Sequence, residues 1–443
     1  CRFGPNHTHP SLDDPMFDKK QSLVIFSGGT AVNSFATHLA QKANELTTTH
    51  ILPVSDDGGS TAEILRVLGG TAVGDIRSRC LKLSEAEMSD EAQAVAKLLG
   101  HRLDKDNKAA ARAEWMQIIE CTTGEAETSM WQRISPPYKD TIRAFLLHFH
   151  HEIMRRTGSS SRCEFDFRNG SVGNFFFAGA RLFYHSLDAA IFTYLRVSCV
   201  PPDSCVLPVI QIDSERSIKM GTQLTNGRRI AGQNELSHPG RLVSKDGRGD
   251  WLESPVERVF YLSSDAPSVA LQEPGFEVSH VAHPMVLEKL KQCCAVVYGC
   301  GSLYTSLCIS LIVQGIGEAI SSRDADVPKI LMLNGESLDR ETAWEPAAAG
   351  GEVNRMSAPD MVMAIVAALN QSRADGQTLP ASSYVTHVLY PKGATLELDR
   401  ERLLSEMKVK RVVCVDSDET THFYKAPAVV EALKSCIGRG FDG

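Results

Sequence analysis

The chain has 443 residues, a net charge of −8 at pH 7, and 43% apolar and 23% charged residues. This length is more than one small core usually holds, so it predicts two lobes or one enlarged α/β domain. The negative charge argues against non-specific nucleic-acid binding, and no apolar run reaches the roughly 20 residues that span a bilayer. The 12 cysteines are scattered without paired metal-binding spacing, which favours reduced thiols and a cytoplasmic location.

The first predicted elements follow residues 1–20, which are expected to form a loose leader. An apolar run at 23–26 predicts a strand, and Gly28-Gly29-Thr30 then opens a segment with apolar residues at helical spacing. A helix N-terminus presents free N–H groups and partial positive charge, and it therefore favours phosphate. The alternative is an ordinary strand-to-helix turn in which the glycines serve only the backbone geometry.

The second predicted strand, at 51–54, runs directly into Asp56-Asp57-Gly58-Gly59-Ser60, and Asp75 follows in Gly74-Asp75-Ile76-Arg77. Adjacent carboxylates repel each other and are stable together mainly when a cation or donor groups neutralise them. Glycines beside them let the backbone approach a bulky anion. The pattern therefore predicts a metal-assisted phosphate site. Arg77 and Arg79 are expected to neutralise a phosphate, or else to pair with the acids on a surface helix.

A helical lobe is predicted at 84–157, as an insertion or lid within the α/β domain of residues 21–443. Its clearest helix lies at 139–156, where apolar residues share one face. Another apolar helix is predicted after Asn174. The side-chain amide of Asn174 either binds a base, ribose or phosphate of a ligand or serves as a plain helix cap. Short strands follow, with a hairpin turn at Asn226-Gly227.

The C-terminal half continues the alternation of strands and helices. A buried strand at 295–298 enters a loop whose residues Ser302, Thr305 and Ser306 carry hydroxyls that can donate to phosphate oxygens, or alternatively cap a helix. Further strands are predicted at 329–333, 385–391 and 411–416. This alternation predicts an α/β fold with a mainly parallel sheet and helices on both faces.

Five motifs occur in the order of a known family: Gly28-Gly29-Thr30, Asp56-Asp57-Gly58-Gly59-Ser60, Gly74-Asp75-Ile76-Arg77, Gly173-Asn174 and Gly301-Ser302-Leu303-Tyr304-Thr305-Ser306. Over residues 22–345 the chain resembles the CofD/YvcK-like family, which includes 2-phospho-L-lactate transferase and the bacterial gluconeogenesis factor. The segment at 165–168 and the long insert are similar to the eukaryotic branch. Ala31 and Cys300 depart from the family pattern, where a glycine and a proline are usual, but both are small enough to keep the loops.

The resemblance implies a modified Rossmann-like fold, a homodimer, and a nucleoside diphosphate or nucleotide-sugar ligand of GDP or UDP type. It also implies Mg²⁺ held by Asp57 and Asp75. In the transferase branch a phospholactyl group passes from a guanosine diphosphate donor to a deazaflavin alcohol. A comparable transferase would use Asp56, Asp57 and Asp75 as catalytic residues, with Asp56 taking the proton of an acceptor that the sequence does not name.

The implied nucleotide- and phosphate-binding residues are Gly28, Gly29, Thr30, Asn33, Gly58, Gly59, Ser60, Arg77, Asn174, Gly301, Ser302, Thr305 and Ser306. The YvcK branch binds UDP-sugars and acts in cell-wall or carbon-flux control, so a non-enzymatic regulator that uses the same residues is the second hypothesis. A nicotinamide dehydrogenase is the weakest reading, because Gly-Gly-Thr-Ala-Val-Asn is not the Gly-x-Gly-x-x-Gly of such enzymes.

Overall fold

The computed structural model describes residues 20–42, 45–55, 58–87, 89–120, 130–157, 164–212, 218–233, 236, 251–263, 274–335, 340–345 and 353–438. The predicted leader lies outside these residues except for Lys20. In the part of the chain that is described, no helix is long and apolar enough to cross a membrane.

The strands, in chain order, are β1 (Gln21–Phe26), β2 (Leu46–Leu52), β3 (Ser204–Pro208), β4 (Lys219–Leu224), β5 (Arg229–Ala231), β6 (Val256–Leu262), β7 (Glu277–Val278), β8 (Ala295–Tyr298), β9 (Lys329–Met332), β10 (Ala343–Trp344), β11 (Asn354–Arg355), β12 (His387–Pro391) and β13 (Arg411–Val415). The α-helices are α1 (Asn33–Gln41), α2 (Gly59–Leu68), α3 (Gly74–Ser84), α4 (Asp90–Gly100), α5 (Lys108–Glu120), α6 (Pro136–Thr157), α7 (Val172–Tyr184), α8 (Leu187–Val197), α9 (Pro284–Gln292), α10 (Ile309–Leu311), α11 (Ile316–Ser321), α12 (Ala358–Gln371) and α13 (Ala426–Ile437). Two π-helical segments lie at Leu303–Cys308 and Arg402–Glu406.

Parallel strands form the central sheet, in the order β13-β12-β9-β8-β1-β2-β3. The chain moves outward from β1 through β2 to β3, returns to the other side of β1 as β8, and continues through β9, β12 and β13. Right-handed crossovers therefore place α1, which follows β1, and α11, which follows β8, on opposite faces of the sheet. The predicted α/β fold is confirmed. The carboxyl ends of β1 and β8 meet at the switch point, where sheets of this kind bind ligands.

Burial explains which strands can be predicted from the sequence. In β1 the side chains of residues 23–26 are fully buried, as are all four residues of β8, and strands covered on both faces read as continuous apolar runs. In β2 the prediction placed the start at 51, whereas the strand begins at Leu46. Thr48 and Thr49 are buried inside it, and these β-branched but polar residues do not register as an apolar run.

A second sheet, antiparallel in the order β5-β4-β6-β7, lies between β3 and β8 in the chain. The predicted hairpin turn at Asn226-Gly227 is confirmed: it joins β4 to β5, and Gly227 has a φ of 85°. The hydroxyl of Tyr261 in β6 donates to the carbonyl of Ile309 at 2.7 Å, which fastens this sheet to the helical segment after β8.

Three helices, α4, α5 and α6, occupy the described part of the predicted lobe at 84–157. Their aromatic side chains pack on α7, because the ring of Phe149 stacks on Phe175 at 4.6 Å and Trp115 meets Phe175 edge-on at 5.0 Å. The lobe thus shares a core with the helix that carries Asn174. Its movement as a lid stays a prediction.

Candidate functional site

The glycine loop after β1 lies directly against Asp75 at the start of α3. A Cβ atom at Gly29 would overlap Oδ1 of Asp75 and lie 2.9 Å from the Asp75 Cα. A Cβ atom at Gly28 would overlap Oγ of Ser306 and lie 2.9 Å from the Ser306 Cβ. Neither glycine has a positive φ, so close approach, and not an unusual turn geometry, is what requires glycine here. Two predicted loops and Asp75 therefore meet at the carboxyl edge of the sheet.

Side chains below the loop hold its backbone in place. Nδ2 of Asn33 donates to the carbonyl of Gly29 at 2.6 Å and also to Oγ of Ser78 at 3.1 Å. The Ser78 hydroxyl donates to the same carbonyl at 2.9 Å. The predicted residue Asn33 thus supports the loop from the start of α1, while its neighbour Thr30 lines the cavity described below.

Arg79, which the sequence analysis considered together with Arg77, is fully buried beneath this loop, so the surface-helix alternative is wrong for it. Its Nη2 donates to the carbonyl of Gly28 at 2.9 Å and to the hydroxyl of Ser27 at 3.2 Å, and its Nη1 lies 3.5 Å from Nδ1 of His50. Burial lowers the pKa of Arg79 to about 10, while the charge of Asp75 opposes this shift. Burial, together with Arg79, also lowers the pKa of His50 well below its ordinary value, so His50 is neutral and can accept. Arg79 thus carries a buried positive charge to the underside of the glycine loop.

We expect Arg79→Lys to lower the free energy of unfolding by about 1–3 kcal/mol. One ammonium group cannot reach both the loop after β1 and His50 in β2, as the forked guanidinium does, so the substitution leaves buried acceptors without donors. Urea denaturation followed by circular dichroism measures the change. Arg112→Lys is the matched control, since Arg112 is exposed on α5 and pairs with Glu164, and it should leave the urea midpoint unchanged. Equal midpoints for the two variants would contradict a supporting role for Arg79.

Three predicted residues form one hydrogen-bonded chain that joins α3, α7 and α2. Nε of Arg77 donates to Oδ1 of Asn174 at 3.1 Å, and Nδ2 of Asn174 donates to the hydroxyl of Ser60 at 3.0 Å. Arg77 and Asn174 are both buried, so the surface-helix alternative for Arg77 is wrong. The cap alternative for Asn174 is also wrong, because Ser171 is the N-cap of α7 and its hydroxyl accepts from the backbone N–H of Asn174 at 3.4 Å.

The acidic loop after β2 is described only at its end. Asp56 and Asp57, predicted as catalytic and metal-binding residues, lie outside the described residues. Gly58 is the N-cap of α2, and Gly59 begins the helix with a φ of 53°. A Cβ atom at Gly59 would meet no atom of the described residues within 4 Å.

The loop after β8 is held by an amide that the sequence analysis missed. The Gly301 N–H donates to Oδ1 of Asn334 at 2.7 Å, and Nδ2 of Asn334 donates back to the Gly301 carbonyl at 2.9 Å. This clasp fixes Gly301 at a φ of 124°, where a side chain would be strained. Ser302 occupies the N-cap position of the following π-helix but makes no side-chain capping bond. Asn334 directly follows β9, and its place after a buried strand was the available indication.

The two remaining hydroxyls of this segment differ in their surroundings. Thr305 is buried, and its hydroxyl donates to Oε1 of Glu341 at 2.6 Å, while its N–H donates to Oε2 at 3.1 Å. The Tyr304 N–H donates to the same carboxylate at 3.0 Å. Thr305 therefore serves the buried Glu341, whereas Ser306 lies against Gly28.

A cavity of about 450 Å³ opens at this edge of the sheet, beside the switch point. Its wall combines predicted residues from the loops after β1 and β8 with residues that were not predicted, from the ends of β9 and β13. The lining residues are Thr30, Ala31, Ser34, Cys300, Gly301, Ser302, Asn334, Gly335, Thr421, His422, Phe423 and Tyr424. Burial raises the pKa of the Cys300 thiol to about 12, which keeps it protonated and unreactive.

No group of three or more His, Cys, Asp or Glu side chains that could hold a metal ion occurs in the described parts of the chain. Mg²⁺ is commonly bound in another way, by one or two carboxylates together with the phosphates of a substrate. Asp75, pressed against two glycines whose backbone can approach an anion, suits that mode. The residues present are thus compatible with Mg²⁺ bound jointly with a phosphate ligand.

Comparisons with known proteins agree with this architecture. The family model described as 2-phospho-L-lactate transferase CofD matches residues 23–425. The uncharacterized protein YNL011C of Saccharomyces cerevisiae is 31% identical over 440 residues, which cover 85% of this chain and 92% of that protein. The gluconeogenesis factor of Halalkalibacterium halodurans is 23% identical over 322 residues, which cover 72% of this chain and 70% of that protein.

Solved structures share the fold. The crystal structure of protein BH3568 from Bacillus halodurans has a TM-score of 0.57 at 20% identity, and the match covers 94% of this chain and 100% of that one. A second crystal structure of BH3568, described as a member of the UPF0052 family, gives a TM-score of 0.58 at the same identity.

Proposed function

Because the chain belongs to the family described as 2-phospho-L-lactate transferase CofD, we propose that it is a Mg²⁺-dependent, transferase-like protein. Its ligand at the switch point would be a nucleoside diphosphate-linked substrate, with a nucleotide of GDP or UDP type. The observation that carries this proposal is the meeting of Gly28, Gly29, Asp75 and Ser306 at one carboxyl edge, beside a cavity of about 450 Å³.

The proposed phosphate contacts follow from the two loops. Gly28 and Gly29 let a phosphate come close to the backbone ahead of α1, whose dipole favours an anion at its N-terminal end. Gly301 and Ser302 would contact the other phosphate oxygens from the loop after β8, the strand adjacent to β1, and Ser306 lies against Gly28. The buried charge of Arg79, which contacts the Gly28 carbonyl, supports anion binding at this point.

The proposed reactive residues are the acids. Asp75 would hold Mg²⁺ with Asp57, and the bound ion supplies neutralisation of the charge that develops on the diphosphate. Asp56 is the proposed base that accepts the proton of an acceptor alcohol. Arg77 adds a fixed positive charge beside Asp75, and Asn174 holds its guanidinium in place.

A second candidate function is a non-enzymatic regulator that binds a UDP-sugar. The relative named gluconeogenesis factor favours it, since its name describes a role in carbon metabolism. The same residues would then provide affinity without turnover. We also propose a cytoplasmic location and a homodimer; the cysteines of the described residues form no disulfide, which supports a reducing compartment.

A thermal-shift series with UDP, GDP and UDP-sugars, with and without Mg²⁺, tests the proposal. A ligand that binds only the native state adds about 2.7 kcal/mol of stability at a hundredfold excess over its Kd, so we expect a clear, Mg²⁺-dependent rise in Tm. ³¹P NMR of the same mixtures then separates the two candidates, because only the transferase produces new phosphorus resonances when acceptors are supplied. A Tm unchanged by every nucleotide would overturn both candidates.

A further inference from the structure

The loop after β13, residues 418–424, is rigid because it is hydrogen-bonded within itself. The Asp418 carboxylate accepts from the N–H groups of Thr420 and Thr421 at 3.0 and 2.9 Å and from the Thr421 hydroxyl at 3.0 Å. The Asp418 N–H donates to the Phe423 carbonyl at 2.8 Å, and the His422 N–H donates to the Asp418 carbonyl at 2.9 Å. The conformation of the loop is thus fixed before any ligand binds.

The same loop is fastened to the edge of the sheet. The Tyr424 hydroxyl shares its proton between the carbonyls of Leu333, just after β9, and Leu389, within β12, at 2.7 and 3.0 Å. His422 has a φ of 54°, a left-handed conformation that a side chain rarely adopts. Its carbonyl would lie 2.8 Å from a Cβ atom at Gly335, so the loop sits where only a glycine leaves room for it.

This rigid loop presents one apolar ring to the cavity. Phe423 is 69% exposed although its neighbour Tyr424 is buried, and Phe423 lines the same cavity as Thr30, Gly301 and Ser302. A phenyl ring that is mostly exposed buries little apolar area in the fold. A planar aromatic ligand stacked on it would bury the exposed face of the ring. The phosphate loops and the ring share one wall, so a single ligand can contact both.

We infer that Phe423 is the stacking platform for the aromatic ring of the bound ligand, which makes the ligand a nucleoside phosphate and not a simple sugar phosphate. This inference rests on the proposed function. Phe423 offers a ring face and no hydrogen-bonding group. Several polar side chains on the wall are already engaged within the protein, since Ser34 donates to Ala31 and Asn334 clasps Gly301. The protein therefore contacts the face of the ligand's aromatic ring and forms few hydrogen bonds with the ring's edge.

Phe423→Leu tests the platform, because it keeps an apolar side chain but removes the ring. Stacking of one base contributes enough that we expect the affinity for both UDP and GDP to fall roughly 5- to 150-fold, measured by calorimetry. The affinity for inorganic pyrophosphate should not change. Phe192→Leu is the matched control: Phe192 is 59% exposed on α8 and does not line the cavity, so its loss should leave every affinity unchanged.

Phe423→Trp provides a direct readout, since stacking of a base quenches the indole emission above the background of the native tryptophans. Quenching by UDP and GDP but not by pyrophosphate is the expected result. Unchanged nucleotide affinity in Phe423→Leu, or equal weakening of pyrophosphate, would overturn the inference. If wild-type protein binds no nucleoside diphosphate, the proposed function fails, and titration of Phe423→Trp with uridine and guanosine decides the platform: quenching supports it and unquenched emission overturns it.

Discussion

Asp75→Asn is expected to remove the Mg²⁺-dependent part of nucleotide binding and all phosphoryl-group transfer. The amide keeps the volume of the carboxylate against Gly28 and Gly29 but loses the charge that would hold a cation. With Mg²⁺ present, the affinity for the preferred nucleoside diphosphate should fall at least about tenfold, the scale seen when a metal's surroundings are disturbed. In EDTA the affinity should be unchanged or higher, because one negative charge near the diphosphate has been removed.

Calorimetric titrations in Mg²⁺ and in EDTA measure both effects on one preparation. Asp140→Asn is the control, since Asp140 is exposed on α6 and the same change of charge there should alter neither titration. An Asp75→Asn protein whose affinity still rises with Mg²⁺ would show that Asp75 is not a metal ligand. Transfer that is measurable in the wild type and lost in Asp75→Asn would favour the transferase over the regulator, because a binder has no turnover to lose.

The sequence predicts the strands of the central sheet better than those of the second sheet, and burial is part of the reason. The strands β1 and β8 are covered on both faces, so their side chains form continuous apolar runs that a reader of the sequence can find. The antiparallel strands β6 and β7 were not predicted. The strand β7 has only two residues and carries too little local pattern, whereas β6 ends in a buried apolar run at 259–262 that the sequence analysis overlooked.

The same division applies to the candidate site. Gly28, Gly29 and Asp75 were predictable because each follows a strand or opens a helix with an unusual local composition. Phe423 was not, because β13 is the outermost strand on its side of the sheet, and its loop reaches the cavity by passing over β12 and β9. Only the strand order of the folded sheet shows that the loop after β13 lies close to the loops after β1 and β8. The burial of Arg79 was not predictable for a different reason, since a buried guanidinium looks in sequence like any surface arginine of a helix.

Gly29→Ala should destabilise the protein and weaken nucleotide binding together, since the two depend on the same close contact. The new Cβ atom would overlap Oδ1 of Asp75 and lie 2.9 Å from the Asp75 Cα, so the loop or α3 must move. Overpacking of this kind costs about 1–3 kcal/mol of unfolding free energy. Gly275→Ala is the control, because a Cβ atom there meets no atom of the described residues within 4 Å, and it should leave urea midpoint and affinity unchanged.

A double-mutant cycle with Asp75→Ala shows whether Asp75 is what the new methyl group meets. Removing the carboxylate relieves the overlap with Oδ1 but leaves the contact with the Asp75 Cα, so we expect partial recovery of the urea midpoint lost in Gly29→Ala. Additive losses would place the strain elsewhere in the loop. Nucleotide affinity should not recover with stability in the double variant, because the carboxylate proposed to hold Mg²⁺ is then absent. The urea midpoint would then recover in the double variant while the nucleotide affinity would not. A purely structural role for Asp75 does not allow this difference.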